Sequence, residues 1–280
     1  MIEERVLSTT DVDRHGEKMS KEHLNVMMNA INSYVMPMSF NHDPRFPPLG
    51  RISDARIVER SDGEYELIGT IETYDEVPEY DNNGKKLAMP PYRDHKCHIM
   101  YDRSYRDDES MNAIREIAHY MNTKPQFEVK KALEPISILT IIASIAIGSY
   151  FKGFFGKLGE ANAQAIINNI KKLVAKKEKQ KDRLVVLKVY SEHKARFIEV
   201  NVIASNPIES DVDVLFSIVL KNIDEILPEF IEKLDNVRIL TYLFEENKLY
   251  FAYAVRDDGI PLLVHRRGSK NSSQHKELFI

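Results

Sequence analysis

The chain has 280 residues, of which 43% are hydrophobic and 29% are charged. This length and composition are typical of a globular protein with room for two modest hydrophobic cores, so we predict two folded domains. The formal net charge of −4 at pH 7 argues against a protein that coats nucleic acid, which is not an expected partner. The single cysteine, Cys97, cannot form an internal disulfide, and no signal segment is recognised at the start, which favours a cytoplasmic location.

The chain begins with a predicted strand and an amphipathic helix. Residues 5–9 have the composition of a strand, and the polar turn that follows ends it. Ser20 is placed to cap a helix, because a serine side chain can accept a hydrogen bond from an unpaired backbone N–H of the first turn. The apolar face of this helix consists of Leu24, Met27, Met28 and Ile31.

Three more strands are predicted in the next forty or so residues, at 34–40, 49–59 and 64–75. The first of them leads to the pair His42 and Asp43, which is followed by the turn sequence PRFPP. The first quarter of the chain is therefore expected to be a β-rich unit built around a histidine.

Two segments of this unit resemble a known family. The run STTDVDRHGEKM precedes the predicted helix, and the run SFNHDPRFPPLGRISDARIVERSDGEYELIGTIE covers the strands after it. In order and spacing they resemble the opening half of the tailed-phage prohead (capsid maturation) serine proteases, and a weaker likeness extends to about residue 142. The resemblance implies a compact, β-barrel-like serine protease domain in which His42 is the general base.

The resemblance places the nucleophile on a later strand, where the segment HIMYDRSYR offers Ser104. Charged residues flank this serine at positions where the family has apolar residues or glycine. A serine hydroxyl needs a histidine to take its proton and a third group to orient that histidine. His98, Glu128 and Asp43 are candidates for the third group, and the catalytic set we predict is His42, Ser104 and His98. The alternative for His42 is a structural histidine that bonds the proline-rich turn.

A second polar cluster lies in the loop before the candidate serine. Asp94, His95, Cys97 and His98 offer the carboxylate, imidazole and thiolate groups that zinc binds. Structural zinc sites normally combine two pairs of ligands, and the chain has no second pair of this kind. We therefore expect no metal and no other cofactor, and we interpret the segment as an exposed polar loop with one buried cysteine.

Residues 135–159 form an apolar stretch in an otherwise charged chain. Before it, a helix is predicted at 111–121 and a strand at 127–133. The β-branched residues of 136–142 predict the last strand of the first domain. The glycine-rich remainder, 143–159, predicts a helix that connects two domains or associates with a second copy of the chain.

The apolar stretch also permits a membrane-associated interpretation. Residues 136–155 are long enough to cross a hydrocarbon core of about 30 Å as a helix. An amphipathic helix is predicted at 158–174, and the lysine-rich run 171–183 at its end would then face anionic lipid. The simpler interpretation of the run is a solvated helix end stabilised by lysines.

The last third of the chain predicts a small α+β domain. Two strands are expected at 184–190 and 195–204, a helix from Asp213, and a hairpin from strands at 237–244 and 248–255. The order β-β-α-β-β favours one helix packed on an antiparallel sheet.

The predicted fold class is therefore α+β, with four parts along the chain. These are a prohead-protease-like domain at 1–142, connecting helices at 143–183, an α+β domain at 184–268 and a flexible tail at 269–280.

We expect the chain to act in the conflict between bacteria and phages. In this hypothesis of antiphage defence, the first domain recognises or processes a phage structural protein, such as a capsid or scaffold protein. One alternative is an active serine endopeptidase of the prohead protease type. The other is a membrane-associated effector that uses residues 136–155. The expected partners are accordingly a protein, a second copy through residues 143–170, or a membrane surface.

Overall fold

The structure is a computed structural model. It describes residues 1–12, 16, 18–39, 43–75, 79–80, 84–88, 97–127, 136–145, 160–175, 182–193, 196–218 and 236–262. Within these ranges the protein has two β-sheets and four α-helices, and strands predominate. The predicted α+β class is confirmed at this level. The tail predicted at 269–280 lies outside the described residues.

The first sheet and one helix form an N-terminal unit. Its elements in chain order are β1 (Ile2–Thr9), α1 (Lys21–Ser33), β2 (Met36–Met38), β3 (Gly50–Glu59) and β4 (Tyr65–Thr73). The strands lie in the order β1-β4-β3-β2, and all neighbours are antiparallel. The described strands form an open sheet, with β1 and β2 at its edges. The barrel-like closure implied by the family resemblance is therefore not confirmed by them.

Helix α1 covers one face of this sheet. Its start is the predicted one, because the Ser20 side chain accepts a hydrogen bond of 3.2 Å from the backbone N–H of His23. The apolar face places Leu24 and Ile31 against Leu67 of β4, and all three side chains are buried. The apolar side chains that recur with helical period in α1 and those that alternate in β4 thus form one small core.

The second sheet contains eight strands and carries three helices. In chain order its elements are β5 (His98–Tyr101), α2 (Asp108–Tyr120), β6 (Gln126–Phe127), β7 (Ile136–Ile145), α3 (Glu160–Ala175), β8 (Asp182–His193), β9 (Arg196–Ser205), α4 (209–218), β10 (Val237–Glu245), β11 (Lys248–Arg256) and β12 (Pro261–Leu262). The strand order is β12-β11-β10-β9-β8-β7-β5-β6.

This large sheet repeats one local arrangement three times. The pairs β5 and β6, β7 and β8, and β9 and β10 are each parallel neighbours. Within each pair, the chain between the two strands contains a helix, which is α2, α3 and α4 respectively. Parallel neighbours need such a crossover, whereas β8–β9 and β10–β11 are antiparallel and follow each other directly.

The main hydrophobic core lies on the face of the large sheet that carries the helices. Ile117 of α2, Ile170 of α3 and Leu215 of α4 share one buried cluster with side chains such as Leu187 and Leu240 of the strands. We call this side the helix face. The other side, to which the alternate residues of each strand point, is called the open face.

The large sheet runs across the domain boundary predicted near residue 142. Strand β7 extends to residue 145, and it pairs with β5 on one side and with β8 on the other. Its side chains from residue 137 to residue 142 are buried on both faces, with Ile138 on the open face and Leu139 on the helix face. The sequence of an interior strand of this kind is a continuous apolar run. The same run was predicted to be the last strand of the first domain.

The C-terminal elements follow the predicted order, but the sheet is not purely antiparallel. Strands β8, β9, β10 and β11 and helix α4 confirm the β-β-α-β-β sequence of elements. Strands β9 and β10 are parallel, in the register Asn201 with Thr241. The helix between them carries the chain back to the starting edge of the sheet, which makes the next strand parallel.

An ionic cluster joins the N-terminal unit to the far hairpin of the large sheet. In the turn after β11, Asp258 accepts two hydrogen bonds from Arg256, and its backbone oxygen accepts one from Arg51 of β3. The neighbouring Asp257 accepts a hydrogen bond from Tyr80 and lies 3.5 Å from the Lys86 ammonium. The two sheets are therefore held together by contacts far apart in sequence.

The central apolar stretch is only partly described. Residues 143–145, predicted as the start of a helix, belong to strand β7, and 146–159 lie outside the described residues. Helix α3 confirms the predicted amphipathic helix. Over the part of the chain that is described, no helix combines the length and the apolar character needed to cross a membrane.

Candidate functional site

Ser104, the predicted nucleophile, lies in a short 3₁₀ turn after β5. Its hydroxyl donates a hydrogen bond to the Asp102 side chain, which also accepts the backbone N–H of Ser104 at 2.9 Å. The second carboxylate oxygen of Asp102 accepts the backbone N–H of Ile138 in β7. Asp102 is buried, so this carboxylate anchors the turn to the sheet.

The other members of the predicted catalytic set are only partly described. His42 and Glu128 lie outside the described residues. His98 is in β5, where its Nδ1 lies 3.4 Å from Nε2 of Gln126. The structure therefore describes Ser104 and His98 but does not test their pairing with His42, which stays a prediction.

Asp43, the partner of His42 in the H-D pair, begins a loop that reaches the large sheet. Its buried carboxylate forms a salt bridge of 2.6 Å with Arg45, and the same guanidinium lies 3.1 Å from Asp182 at the start of β8. Between them, the Pro44 backbone oxygen accepts a hydrogen bond of 2.8 Å from the Tyr253 hydroxyl. The loop 43–45 thus packs on the open face of the large sheet.

Beneath this loop, four polar side chains cross the open face in a line. The strand registers place Lys188 opposite Asn201, Asn201 opposite Thr241, and Thr241 opposite Tyr253. These residues come from β8, β9, β10 and β11, and we call them the polar row. Directly paired residues of neighbouring strands point to the same face, so the four side chains lie side by side.

The carboxylate of Glu199 organises one end of the polar row. It accepts hydrogen bonds from Tyr190 at 2.6 Å, from Asn201 at 2.8 Å and from Lys188 at 3.1 Å. Burial alone raises the pKa of Glu199, but the Lys188 ammonium and these hydrogen bonds lower it by more, so the net effect is a lowered pKa. Glu199 is therefore held as a carboxylate and is poorly suited to accept a proton.

Tyr253 closes the other end of the polar row as a neutral phenol. Burial raises its pKa to about 12. Its side chain also belongs to a small apolar cluster with Val255 of β11 and with Val35 and Leu87 from the N-terminal part. The phenol thus combines a packing role with a hydrogen bond to the loop.

Two buried polar atoms of the row lack a partner. Neither Asn201 Oδ1 nor Thr241 Oγ1 meets a hydrogen-bond partner among the described residues. Asn201 is 8% exposed and Thr241 is 0% exposed. Buried polar atoms nearly always have a hydrogen-bond partner. Two such atoms without a partner on neighbouring strands therefore mark a place where a ligand or a water molecule fits.

The sequence analysis missed the polar row, although a signal for it exists. In β9 apolar residues alternate with Glu199 and Asn201, and in β8 Lys188 interrupts an apolar run. Both strands are interior to the sheet. The pattern was interpreted as an antiparallel sheet packed on one side. Only the strand order shows that these polar residues stand next to one another.

No group of three or more histidine, cysteine, aspartate or glutamate side chains within the described ranges could hold a metal ion. Cys97 is buried, as predicted from the sequence. Asp94 and His95, the other members of the loop cluster, lie outside those ranges.

Exposed apolar side chains are concentrated in the N-terminal unit. Among the described residues, nine of the ten large hydrophobic side chains that are exposed lie within residues 1–49: Met1, Ile2, Val6, Val12, Val26, Tyr34, Met36, Phe46 and Leu49. The tenth is Ile208, before α4. Phe46 is 53% exposed and Leu49 48% exposed, and both flank the prolines that follow the loop 43–45.

Comparison of the chain with models of protein families, with curated protein sequences and with solved structures finds no significant match. The resemblance to prohead proteases therefore stays a prediction from the quoted motifs.

Proposed function

We propose that the chain acts in the conflict between bacteria and phages as a recognition protein, with its N-terminal unit binding a phage structural protein. The observation that carries this proposal is the concentration of exposed apolar side chains within residues 1–49. Clusters of exposed apolar residues are typical of surfaces that bind other proteins.

The class of partner comes from the sequence. The residues quoted for the resemblance to capsid maturation proteases include the loop at Asp43 and the exposed Phe46 and Leu49. A domain of that type meets capsid and scaffold proteins, and its surface can be used to sense them without cleavage. The phage partner is thus proposed by analogy with that family.

Recognition is favoured over cleavage by the contacts of Ser104. Its hydroxyl hydrogen is donated to Asp102, and that buried carboxylate also accepts two backbone N–H groups. This is the pattern of a side chain that fixes a turn. An active serine endopeptidase with Ser104 as nucleophile is thus the weaker proposal.

The proposal is tested by direct binding. Purified capsid and scaffold proteins from a panel of tailed phages are titrated against the purified chain, with affinity measured by calorimetry. We expect at least one of them to bind, and we expect Phe46→Asp to weaken binding by tenfold or more because it places a charge in the apolar surface.

Ile208→Asp is the matched control, because Ile208 is 57% exposed but belongs to the segment before α4, outside residues 1–49. Binding by this variant should equal that of the original chain. Failure of the whole panel to bind, or equal binding by the Phe46 variant, would overturn the proposal. Cleavage of a bound protein that disappears in Ser104→Ala would instead support the endopeptidase.

A further inference from the structure

The polar row on the open face is independent of the surface proposed to bind a phage protein. We infer that it binds an alkylammonium group, the protonated form of a primary amine, through Asn201, Thr241 and Tyr253. The inference uses three features of the row: its unpaired acceptors, the charges around it and its access to solvent.

Asn201 presents an acceptor whose orientation is fixed. Its Nδ2 group donates to Glu199 at 2.8 Å, and a carboxylate can only accept hydrogen bonds. The amide nitrogen therefore points to Glu199, and Oδ1 is the atom left buried without a partner among the described residues. An amide oxygen in this position needs a hydrogen-bond donor.

Thr241 and Tyr253 extend the set of acceptors. The Thr241 hydroxyl lies beside the Tyr253 phenol, and a weak hydrogen bond from it partly offsets the rise in the pKa of Tyr253 that burial causes. The pair falls short of full hydrogen-bond geometry among the described residues, and the Thr241 oxygen keeps its lone pairs for a donor. The hydroxyl hydrogen of Tyr253 is donated to the Pro44 oxygen, so its oxygen offers only lone pairs to the row. Neighbouring strands are about 4.8 Å apart, and an ammonium over Thr241 can direct its three N–H groups to the side chains of three strands.

The charges around the row favour a cation. Two carboxylates act on the row, Glu199 at the end next to Lys188 and Asp43 at the end next to Tyr253, and the cations paired with them are Lys188 and Arg45. Burial is the main cause of the raised pKa of Tyr253, and Glu199 and Asp43 add to it. Their negative potential therefore extends along the row to Tyr253.

Lys188 marks the side from which a ligand enters. Its side chain is 32% exposed, whereas the rest of the row is buried. Because Lys188 stands next to Asn201 in the strand register, the partly exposed end of the row is the end next to the buried amide oxygen. A bound water molecule would satisfy the same atoms, so the test must separate an ammonium from water.

The experiment measures the melting temperature of the full chain in ethylammonium chloride. Sodium chloride at the same ionic strength is the reference, and tetramethylammonium chloride controls for a cation without N–H donors. We expect ethylammonium at ten times its Kd to raise Tm by about 3–6 °C, and the other two salts to have no such effect. An equal response to all three salts, or no response to ethylammonium, overturns the inference in favour of a site for water only.

Two variants locate the effect. Thr241→Val removes an acceptor while keeping the shape of the side chain, and it should abolish the ethylammonium response. Thr140→Val makes the same change at a buried threonine on the open face of β7, outside the row, and should keep the response. An undiminished response in Thr241→Val contradicts the assignment.

A second series of ligands separates the two sources of such a group. A lysine derivative blocked at its backbone amine and carboxyl group presents the ammonium as a protein side chain would. Free ethylammonium presents it alone. Binding of both supports a site open to peptides, and binding of ethylammonium alone supports a site restricted to small amines.

Discussion

The two faces of the large sheet differ in what their buried side chains do. On the helix face, residues such as Ile170, Val200 and Leu240 pack against three helices in a continuous apolar core. On the open face, Glu199 and the polar row occupy the same central strands at alternate positions. One face therefore stabilises the fold by excluding water, and the other holds groups that retain hydrogen-bonding capacity. Substitutions on the two faces should therefore differ in how much they destabilise the protein.

Truncation of the helix face should have the largest effect. Ile170 is 0% exposed and packs at the centre of the main core, so Ile170→Ala leaves a cavity and should lower the free energy of unfolding by about 3–4 kcal/mol. Urea denaturation gives the value. A loss below about 1 kcal/mol would show that this core is not the main source of stability.

Removal of one partner from the ion pair on the open face should have the next largest effect. Lys188→Met keeps most of the volume of the side chain but leaves the buried Glu199 carboxylate without its cation. We expect a loss of about 2 kcal/mol, less than for a fully buried pair because Lys188 is partly exposed. The matched double variant Lys188→Met with Glu199→Gln should recover part of this loss, and the absence of any recovery would contradict the coupling.

The pH dependence of stability should report on both ends of the row. Because the pKa of Tyr253 is raised to about 12, its stabilising contribution is complete below about pH 10 and is lost as the pH rises from about 10 to 12. Because the pKa of Glu199 is lowered, its contribution is present above about pH 4.3 and is lost as the pH falls further.

Two variants separate the alkaline and the acid change in stability, which are measured by urea denaturation at a series of pH values. Tyr253→Phe should remove about 2 kcal/mol of the alkaline change, and Glu199→Gln should flatten the acid limb without affecting the alkaline one. An unchanged alkaline slope in Tyr253→Phe would show that another group titrates there.

Loss of the hydroxyl of Ser104 should have a modest effect. Ser104→Ala removes one hydrogen bond to Asp102 but keeps the backbone bonds to that carboxylate, so the free energy of unfolding should fall by about 1 kcal/mol. Ser61→Ala, in the turn between β3 and β4, is the surface control with no expected change. A gain in stability for Ser104→Ala would indicate that the hydroxyl destabilises the fold, as a residue kept for catalysis can do.

The smallest effect is expected in the polar row itself. The Thr241 hydroxyl is buried without a partner among the described residues, so Thr241→Val should leave the unliganded protein unchanged or up to about 1 kcal/mol more stable. A clear loss of stability would mean that the hydroxyl already has a partner, such as a bound water molecule.

Local sequence patterns predicted most elements of the fold. The capping serine at residue 20, the apolar periods of α1, α2 and α3 and the alternation in β3 and β4 all depend on neighbours within a few residues. The predicted start of α2 at residue 111, with Asp108 or Ser110 as the cap, was wrong. The helix begins at Asp108, because the Asp107 side chain accepts the backbone N–H of Ser110.

The arrangement of these elements was predicted less well. The apolar run of β7 was interpreted as the end of a domain, because periodicity cannot distinguish a last strand from an interior strand that is buried on both faces. The parallel register of β9 and β10 was missed for a related reason, since hydrophobic alternation along a strand does not specify the direction of its neighbour.

The α+β class, the order of the elements and the apolar faces of the helices can be predicted from the sequence, because they follow from side-chain period and local capping. Tertiary contacts are needed to bring strands from both halves of the chain into one sheet, and to place Lys188, Asn201, Thr241 and Tyr253 in line on it. Asn201 and Thr241 are about 40 positions apart in sequence and become neighbours through strand register, which depends on contacts across the whole fold. For this reason the polar row is visible in the structure but not along the chain.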